Sequence, residues 1–403
     1  MNNFQIPVFQ AICIAFILST ALNFITVKLS KNLVIRKKQK QKRLSTSFIS
    51  PFGGVASSLA FLLSTRLIGK ADDNFIFIGI FAFVISLIGV IDDIYNLKWH
   101  IKLVFQIFLV AYPLYTLNLF INLEALLGID FNNYINFIAS TIWIIIIINS
   151  INFIDNMDGL AVVVAGSICL QVAFLSNYLN QYKLTDISLL LLATIIGFLI
   201  FNFPPAKLYL GDSGSLFIGY CLGFISIVFN WTPAGATIYT SALNPILLFF
   251  MIPLLDFLIV VSERIKKGIS PTTGGTDHIS HRLLALNFSE KKVLLTFLIY
   301  SIVCFVLILL TITNHNLFGY GCLFVLISIF TITFIKVKNL KILDYLVSNS
   351  SILSGVPASI HQPFKSIDSH KPSSIYKLFK SVISYSPLDD GVNLLIFSIT
   401  VLS

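Results

Sequence analysis

Acidic and amide side chains stand at the ends of long apolar runs in this sequence, and their grouping suits a site that handles phosphate. The segments GVIDDIYNL and INSINFIDNMDGLA carry Asp92, Asp93, Asn149, Asn152, Asp155, Asn156 and Asp158. The segment FNFPPAKLYLGDSGSLFIGY adds Asn202, Asp212, Ser213 and Ser215. Polar and acidic groups are costly in a bilayer, are kept there mostly for function, and face the bundle interior. Asn149, Asn152 and Asp155 are spaced by three, so successive members share a helix face, as do Asp155 and Asp158. Capping by Asn or Asp accounts for one or two such residues, but not for five acidic or amide positions between 149 and 158.

The other groups each carry a chemical and a bland reading. Adjacent helical residues point about 100° apart, so Asp92 and Asp93 reach one pocket only where the helix ends or opens. Solvated acids need no site, yet acids at a helix C-terminus oppose the macrodipole and require a compensating cation. Lys102 and Gln106 share a face at i and i+4; Lys102 reads equally as a phosphate ligand or as a lysine snorkelling to the interface. Pro204 and Pro205 stop one run, and GDSGS opens the next. Asp212 or Ser213 can cap that helix, but small residues and free N–H groups at a helix start also form an anion site suited to a pyrophosphate. Asp212 beside it can hold Mg²⁺ against phosphate oxygens, with Asn152 as a second ligand. The segment ERIKKGISPTTGGTDHISHRLL brings Arg264, Lys266, Lys267, His278, His281 and Arg282 into one loop. Two histidines without a cysteine partner make a poor zinc site. The guanidinium and ammonium groups suit a nucleotide diphosphate, with a solvated charge run as the alternative.

These residues need elements to position them, and composition says which kind. Of 403 residues 56% are hydrophobic and 11% charged, where a soluble domain carries about a quarter charged; the mean hydropathy is +0.89. The fold class expected is therefore all-α, a polytopic integral membrane protein. The net charge of +9 is distributed as membrane topology requires, which argues against a nucleic-acid partner. A span needs roughly 20 apolar residues. Eleven transmembrane helices are expected, at 6–27, 48–68, 74–92, 101–118, 135–154, 159–176, 186–202, 213–230, 244–263, 292–312 and 317–335. The first is long enough to span and no small-residue cleavage site follows it, so it does not read as a signal peptide. Lys and Arg crowd the loop after it, from Lys28 to Arg43, which makes that loop cytoplasmic. The N-terminus is then outside, the C-terminus inside, and all the acidic and histidine groups above fall on the cytoplasmic side. The five cysteines (Cys13, Cys169, Cys221, Cys304, Cys322) lie in apolar runs and read as small hydrophobes. Residues 1–335 form the membrane domain; the Ser- and Lys-rich tail 336–403 reads as a poorly ordered cytoplasmic appendage, its apolar stretch 392–402 too short to span.

In order along the chain, GVIDDIYNL with KLVFQ, NSINFIDNMDGLA, FNFPPAKLYLGDSGS and GGTDHISHRLL resemble the polyprenyl-phosphate N-acetylhexosamine-1-phosphate transferases and their peptidoglycan relatives, the phospho-MurNAc-pentapeptide transferases. The resemblance covers residues 1 to about 335. It implies Mg²⁺-dependent transfer (Mn²⁺ substituting) of a sugar-1-phosphate, GlcNAc-1-phosphate being commonest, from a UDP-N-acetylhexosamine to polyprenyl phosphate. UMP is released, as the first membrane step of cell-envelope polysaccharide synthesis. By motif, Asp92 and Asp93 match the acidic pair, Lys102 the phosphate-contacting lysine, and Asn152, Asp155 and Asp158 the nucleotide-site motif. Asp212 matches the metal-binding acid, and His278 and His281 the histidine loop. Asp92, Asp93, Asp155 and Asp158 are the catalytic candidates. Lys102, Asn149, Asn152, Ser213, Arg264, His278, His281 and Arg282 are the substrate-binding ones. The implied setting is the bacterial inner membrane, with a homodimer allowed. The chain departs from the pattern at Asn156, where many relatives have Gly; at Ser280, where they have a third His; and at Gln39, often His. The Ser280 change argues against the peptidoglycan branch. An ion-coupled transporter is the rival class, but it predicts midplane acids and a repeat between halves, and the acids here sit at one face.

Overall fold

In a computed structural model the chain is described over residues 7–32, 52–66, 73–121, 123, 131–229, 247–272, 274–286 and 288–313, and every regular element there is helical. In order these are α1 (Val8–Asn32), α2 (Gly53–Thr65), α3 (Asp73–Tyr95), α4 (Trp99–Leu117), α5 (Asn133–Ile154) and α6 (Leu160–Tyr178). They are followed by α7 (Tyr182–Asn202), α8 (Gly211–Val228), α9 (Met251–Lys266), α10 (Ile279–Ala285) and α11 (Glu290–Thr313). Eight of them, α1, α3 to α8 and α11, are long and apolar enough to cross a membrane. Two expected spans appear as shorter helices. The 48–68 run folds as α2, of 13 residues, and the 244–263 run as α9, of 16. The run 317–335, the tail 336–403, and Arg36, Lys37, Gln39 and Cys322 lie outside the described residues.

Helix α8 is the hub. Every residue from Ser213 to Ser226 is buried, and α2, α3 and α5 pack around it. Lipid does not drive apolar helices together, so close association depends on small residues that let backbones touch. A Cβ on Gly54 of α2 would lie 2.0 Å from the Gly214 backbone N, and one on Gly89 of α3 would lie 2.4 Å from Ser213 Cα. Both crossings fall on the first turn of α8. They carry the end of α3, with its two acids, onto the start of α8, with Asp212. Interhelical hydrogen bonds fix the rest: Trp143 Nε1 donates to Ser226 Oγ at 2.9 Å, and Tyr220 OH to the Leu109 carbonyl at 3.0 Å.

The turns at this end of the bundle are tied to one another. Gly159, at φ +74°, reverses the chain from α5 into α6, a conformation glycine adopts without penalty. Its N–H donates to Asn202 Oδ1 at 3.0 Å, and Asn202 Nδ2 donates to the Leu208 carbonyl at 2.9 Å. One buried amide thus links the α5–α6 turn to the α7–α8 turn. The cysteines Cys169, Cys221 and Cys304 are buried and free.

Candidate active site

Lys102 is the centre of the polar cluster. Its Nζ lies 3.1 Å from Asp92 Oδ2 and 2.9 Å from Asp212 Oδ2, joining α3, α4 and α8. The cation that acids at the C-terminal end of α3 require is therefore Lys102, reached from the first turn of α4. Asp92 also uses Oδ1 to accept from the Leu97 N–H at 2.8 Å, which holds the short α3–α4 turn. From α5, Asn152 Nδ2 donates to Asp212 Oδ1 at 2.9 Å and to Ser215 Oγ at 2.8 Å. Both Asp212 oxygens are thus oriented, one by an amide and one by an ammonium. Asn149, one turn back, donates to Gln106 Oε1 at 2.9 Å, so the α5 face spaced by three meets α4 and α8 in succession.

The start of α8 corrects two expectations. Neither Asp212 nor Ser213 caps it: Leu210 occupies the cap position and makes no side-chain cap bond. Asp93 fills that role from α3, its Oδ2 accepting from the Asp212 N–H at 2.9 Å and the Ser213 N–H at 3.4 Å. A carboxylate is the favoured partner for a helix N-terminus, and Asp93 takes that place here. Ser213 is wholly buried, and its hydroxyl donates to the Leu210 carbonyl at 3.3 Å, which shapes the helix start. Asp158 accepts from the Ala206 N–H at 3.0 Å, bracing the turn that leads into α8. Asp155 is the half-buried C-cap of α5.

The histidine loop forms a second cluster beside the first. Arg264, at the end of α9, is 4% exposed and donates from all three of its guanidinium nitrogens. Nε and Nη2 donate to Asp277 at 2.8 and 2.7 Å, and Nη1 donates to the Pro271 carbonyl at 2.7 Å. Burial pushes the Asp277 carboxyl up, but the Arg264 hydrogen bonds and charge outweigh it and hold that carboxyl below its ordinary range. Arg282 donates to Glu263 Oε2 and to the Asp277 carbonyl, both at 2.8 Å. The expected substrate ligands Arg264 and Arg282 are thus engaged in folding the loop. His278 Nδ1 pairs with Asp256 Oδ2 at 2.8 Å, and the His278 and His281 rings are 5.8 Å apart. Phe153, next to Asn152, links the clusters: its ring lies 6.1 Å from His278 and 5.6 Å from the Arg264 guanidinium. Ser280 Oγ donates to Asn156 Oδ1 in the α5–α6 turn.

Sequence reasoning overlooked Asp256, Glu263 and Asp277. Asp256 carried the same signal as the other acids, a carboxylate inside an apolar run (PLLDFLIVV). Glu263 and Asp277 carry no signal without the loop geometry. Among the described residues, no group of three or more His, Cys, Asp or Glu side chains surrounds a common point suited to a metal. Asp92 and Asp212 instead face one ammonium, an all-oxygen donor set. Mg²⁺ is commonly held by one or two carboxylates plus substrate phosphates, and these residues fit that pattern.

Comparison with known proteins identifies the family. The glycosyl transferase family 4 model matches residues 75–230, the stretch that carries Asp92, Lys102, Asn152 and Asp212. A Bacillus subtilis protein described as a "probable undecaprenyl-phosphate N-acetylglucosaminyl 1-phosphate transferase" is 28% identical over 301 residues, 72% of this chain and 82% of that one. The decaprenyl-phosphate N-acetylglucosaminephosphotransferase of Mycolicibacterium smegmatis is 35% identical over 40% of this chain and 43% of its own length. The phospho-N-acetylmuramoyl-pentapeptide-transferase of Rickettsia felis is 30% identical over 53% of this chain and 71% of its own. With that relative matched over more than two thirds of its length, and the family model lying on the helices that hold the Lys102 cluster, the chain belongs to glycosyl transferase family 4.

Proposed function

We propose that the protein transfers N-acetylhexosamine-1-phosphate, with N-acetylglucosamine as the sugar, from a UDP-sugar to polyprenyl phosphate. The observation that carries this reading is Lys102 held between Asp92 and Asp212, with Asn152 orienting Asp212, at the helix ends of an apolar bundle. An oxygen of the lipid phosphate attacks the phosphorus bearing the sugar, and the bond between the two donor phosphates breaks. UMP leaves with that bridging oxygen. A phosphate's second pKa is near 6, so the lipid phosphate is largely ionised and needs no obligatory base. Catalysis is then mainly positioning and neutralising charge. Lys102 offsets the repulsion between two anionic substrates, and Asp92 fixes Lys102 in place. Asp93 anchors α8, and Asn152 and Ser215 set the angle of the Asp212 carboxylate. Asp212 and Asp92 are the residues that would hold Mg²⁺, which would supply charge neutralisation at the phosphate oxygens.

The same reading extends to topology: eleven spans, N-terminus outside, and the site at the cytoplasmic face of a bacterial inner membrane, where the donor nucleotide is found. The Rickettsia relative supports a second donor, UDP-MurNAc-pentapeptide. Protein extracted in detergent and incubated with polyprenyl phosphate, Mg²⁺ and each UDP-sugar tests both. UMP is expected in equal amount to lipid-linked sugar, with UDP-GlcNAc as the preferred donor and EDTA abolishing turnover. No UMP from any UDP-N-acetylhexosamine overturns the reading, and preference for the pentapeptide donor moves the chain to the peptidoglycan branch.

A further inference from the structure

We propose that Asp256 is a positioning residue that fixes the proton of His278 on Nδ1 and presents Nε2 as an acceptor to an N–H or O–H of the donor substrate. This rests on the transfer reaction proposed above. Asp256 and His278 are each 1% exposed. Asp256 Oδ1 accepts from the Ile279 backbone N–H at 2.9 Å, and Oδ2 lies 2.8 Å from His278 Nδ1. The backbone donor cannot reverse, so it fixes the orientation of the carboxylate. An ionised carboxylate only accepts, so Nδ1 carries the proton and the lone pair of the neutral ring is at Nε2. That nitrogen is buried and has no hydrogen-bond partner among the described residues. A buried polar atom without a partner costs about 1–3 kcal/mol, and such an exception calls for a reason. Here the reason is a group that arrives. The ring packs against Phe153 and His281, and neither contact gives Nε2 a hydrogen-bond partner. An N-acetylhexosamine nucleotide offers an acetamido N–H, sugar and ribose hydroxyls and a uracil N–H, whereas its ionised phosphate oxygens only accept.

Asp256→Asn separates these chemistries. Its Oδ1 must still accept from the Ile279 N–H, which turns Nδ2 toward His278 Nδ1. Nδ1 must then accept, and the proton of the neutral ring moves to Nε2. An Nε2 that served a substrate N–H or O–H is now a donor facing a donor.

Full-length protein labelled with ¹⁵N-histidine, with His278→Ala to assign the ring, reads the tautomer without reference to activity. Nδ1 is expected to be protonated in the wild type and Nε2 in Asp256→Asn. In the UMP-release assay Asp256→Asn and His278→Ala should each raise the KM for the UDP-sugar roughly 10- to 100-fold, the range found when the carboxylate behind a working histidine is removed. The KM for polyprenyl phosphate should stay unchanged. The double variant should be no worse than His278→Ala alone, because both changes remove one interaction. Asp256→Glu should recover part of the loss. A wild-type ring protonated on both nitrogens, or on Nε2 alone, overturns the proposal before any variant is made. So does an Asp256→Asn enzyme with an unchanged tautomer or a wild-type donor KM, or losses that add in the double variant. Absence of UMP release by the wild type would instead remove the transfer reading, while the tautomer measurement still decides whether Asp256 positions the ring.

Discussion

Replacing Lys102 by methionine keeps most of the apolar stem and deletes the ammonium. The two bonds lost, 3.1 Å to Asp92 and 2.9 Å to Asp212, are charge-assisted, a class contributing about 1.5–3 kcal/mol each. Side-chain exposures of 14% for Lys102, 7% for Asp92 and 27% for Asp212 place the group between surface and interior, so solvent screening favours the lower end of that range. Two bonds at the lower end total about 3–4 kcal/mol, in line with roughly 3–5 kcal/mol for removing one partner of a buried pair. The substrates bring further negative charge to the same place, so the ammonium is at least as important in the transition state. At about 1.36 kcal/mol per factor of ten, kcat/KM in the UMP-release assay should fall by about two to three orders of magnitude. Lys102→Arg should recover only part, since a planar guanidinium does not replace a point charge set between two carboxylates. A Lys102→Met enzyme with wild-type kcat/KM would refute the reasoning and return Lys102 to a snorkelling side chain.

Three further outcomes follow from the same geometry. Asp212→Asn must turn an NH₂ group toward either Lys102 or Asn152, so UMP release should drop at least about a hundredfold at every Mg²⁺ concentration, from the loss of roughly 3 kcal/mol of charge-assisted bonding; a near-normal rate would remove Asp212 from the phosphate site. Gly54→Ala places a Cβ 2.0 Å from the Gly214 N, and overpacking of this kind costs about 1–3 kcal/mol or more, so the melting temperature in detergent should fall by at least about 2–4 °C per kcal/mol, and an unchanged melting curve would deny the α2–α8 crossing. The Asp277 carboxyl is depressed in the folded protein, so its contribution to loop stability is complete above the unfolded carboxyl range near pH 4 and is lost as pH falls through the lower folded value. The protection factors for hydrogen exchange across residues 264–282, which remove the intrinsic pH dependence of exchange, should therefore be flat from pH 5 to 8 in the wild type, and lower at all those pH values in Asp277→Asn.

The helices were legible because an apolar run of span length has few alternatives in a bilayer, and the polar clusters because each acid stood out against such a run. What composition and spacing left open was pairing. Lys102 had two equal readings until α3 and α8 were found on either side of it, and no local pattern specifies that approach; it depends on Gly54 and Gly89 meeting the first turn of α8. The same blindness misassigned the helix start. From the sequence, GDSGS offers free N–H groups to an anion, and the anion present is Asp93, 119 residues away in the chain. Arg264 was read as a phosphate ligand because cations in a loop look alike. Only its three contacts to Asp277 and Pro271 show a guanidinium that also folds the loop.

Two departures from the pattern of the resembling family, Asn156 and Ser280, turn out to be one feature. They are 124 residues apart, yet the Ser280 hydroxyl donates to the Asn156 side chain, and both residues are buried. The contact is an amide oxygen meeting a small hydroxyl. A buried amide oxygen left without a donor would cost about 1–3 kcal/mol, so neither change is neutral alone, whereas the pair keeps every group bonded. The contact also has a position that matters: Asn156 adjoins Asp155 at the end of α5, and Ser280 lies between His278 and His281. It therefore fastens the histidine loop to the helix end whose preceding turn, through Asn152, orients Asp212. Ser280 thus ties the segment that carries both histidines to the α5–α6 turn.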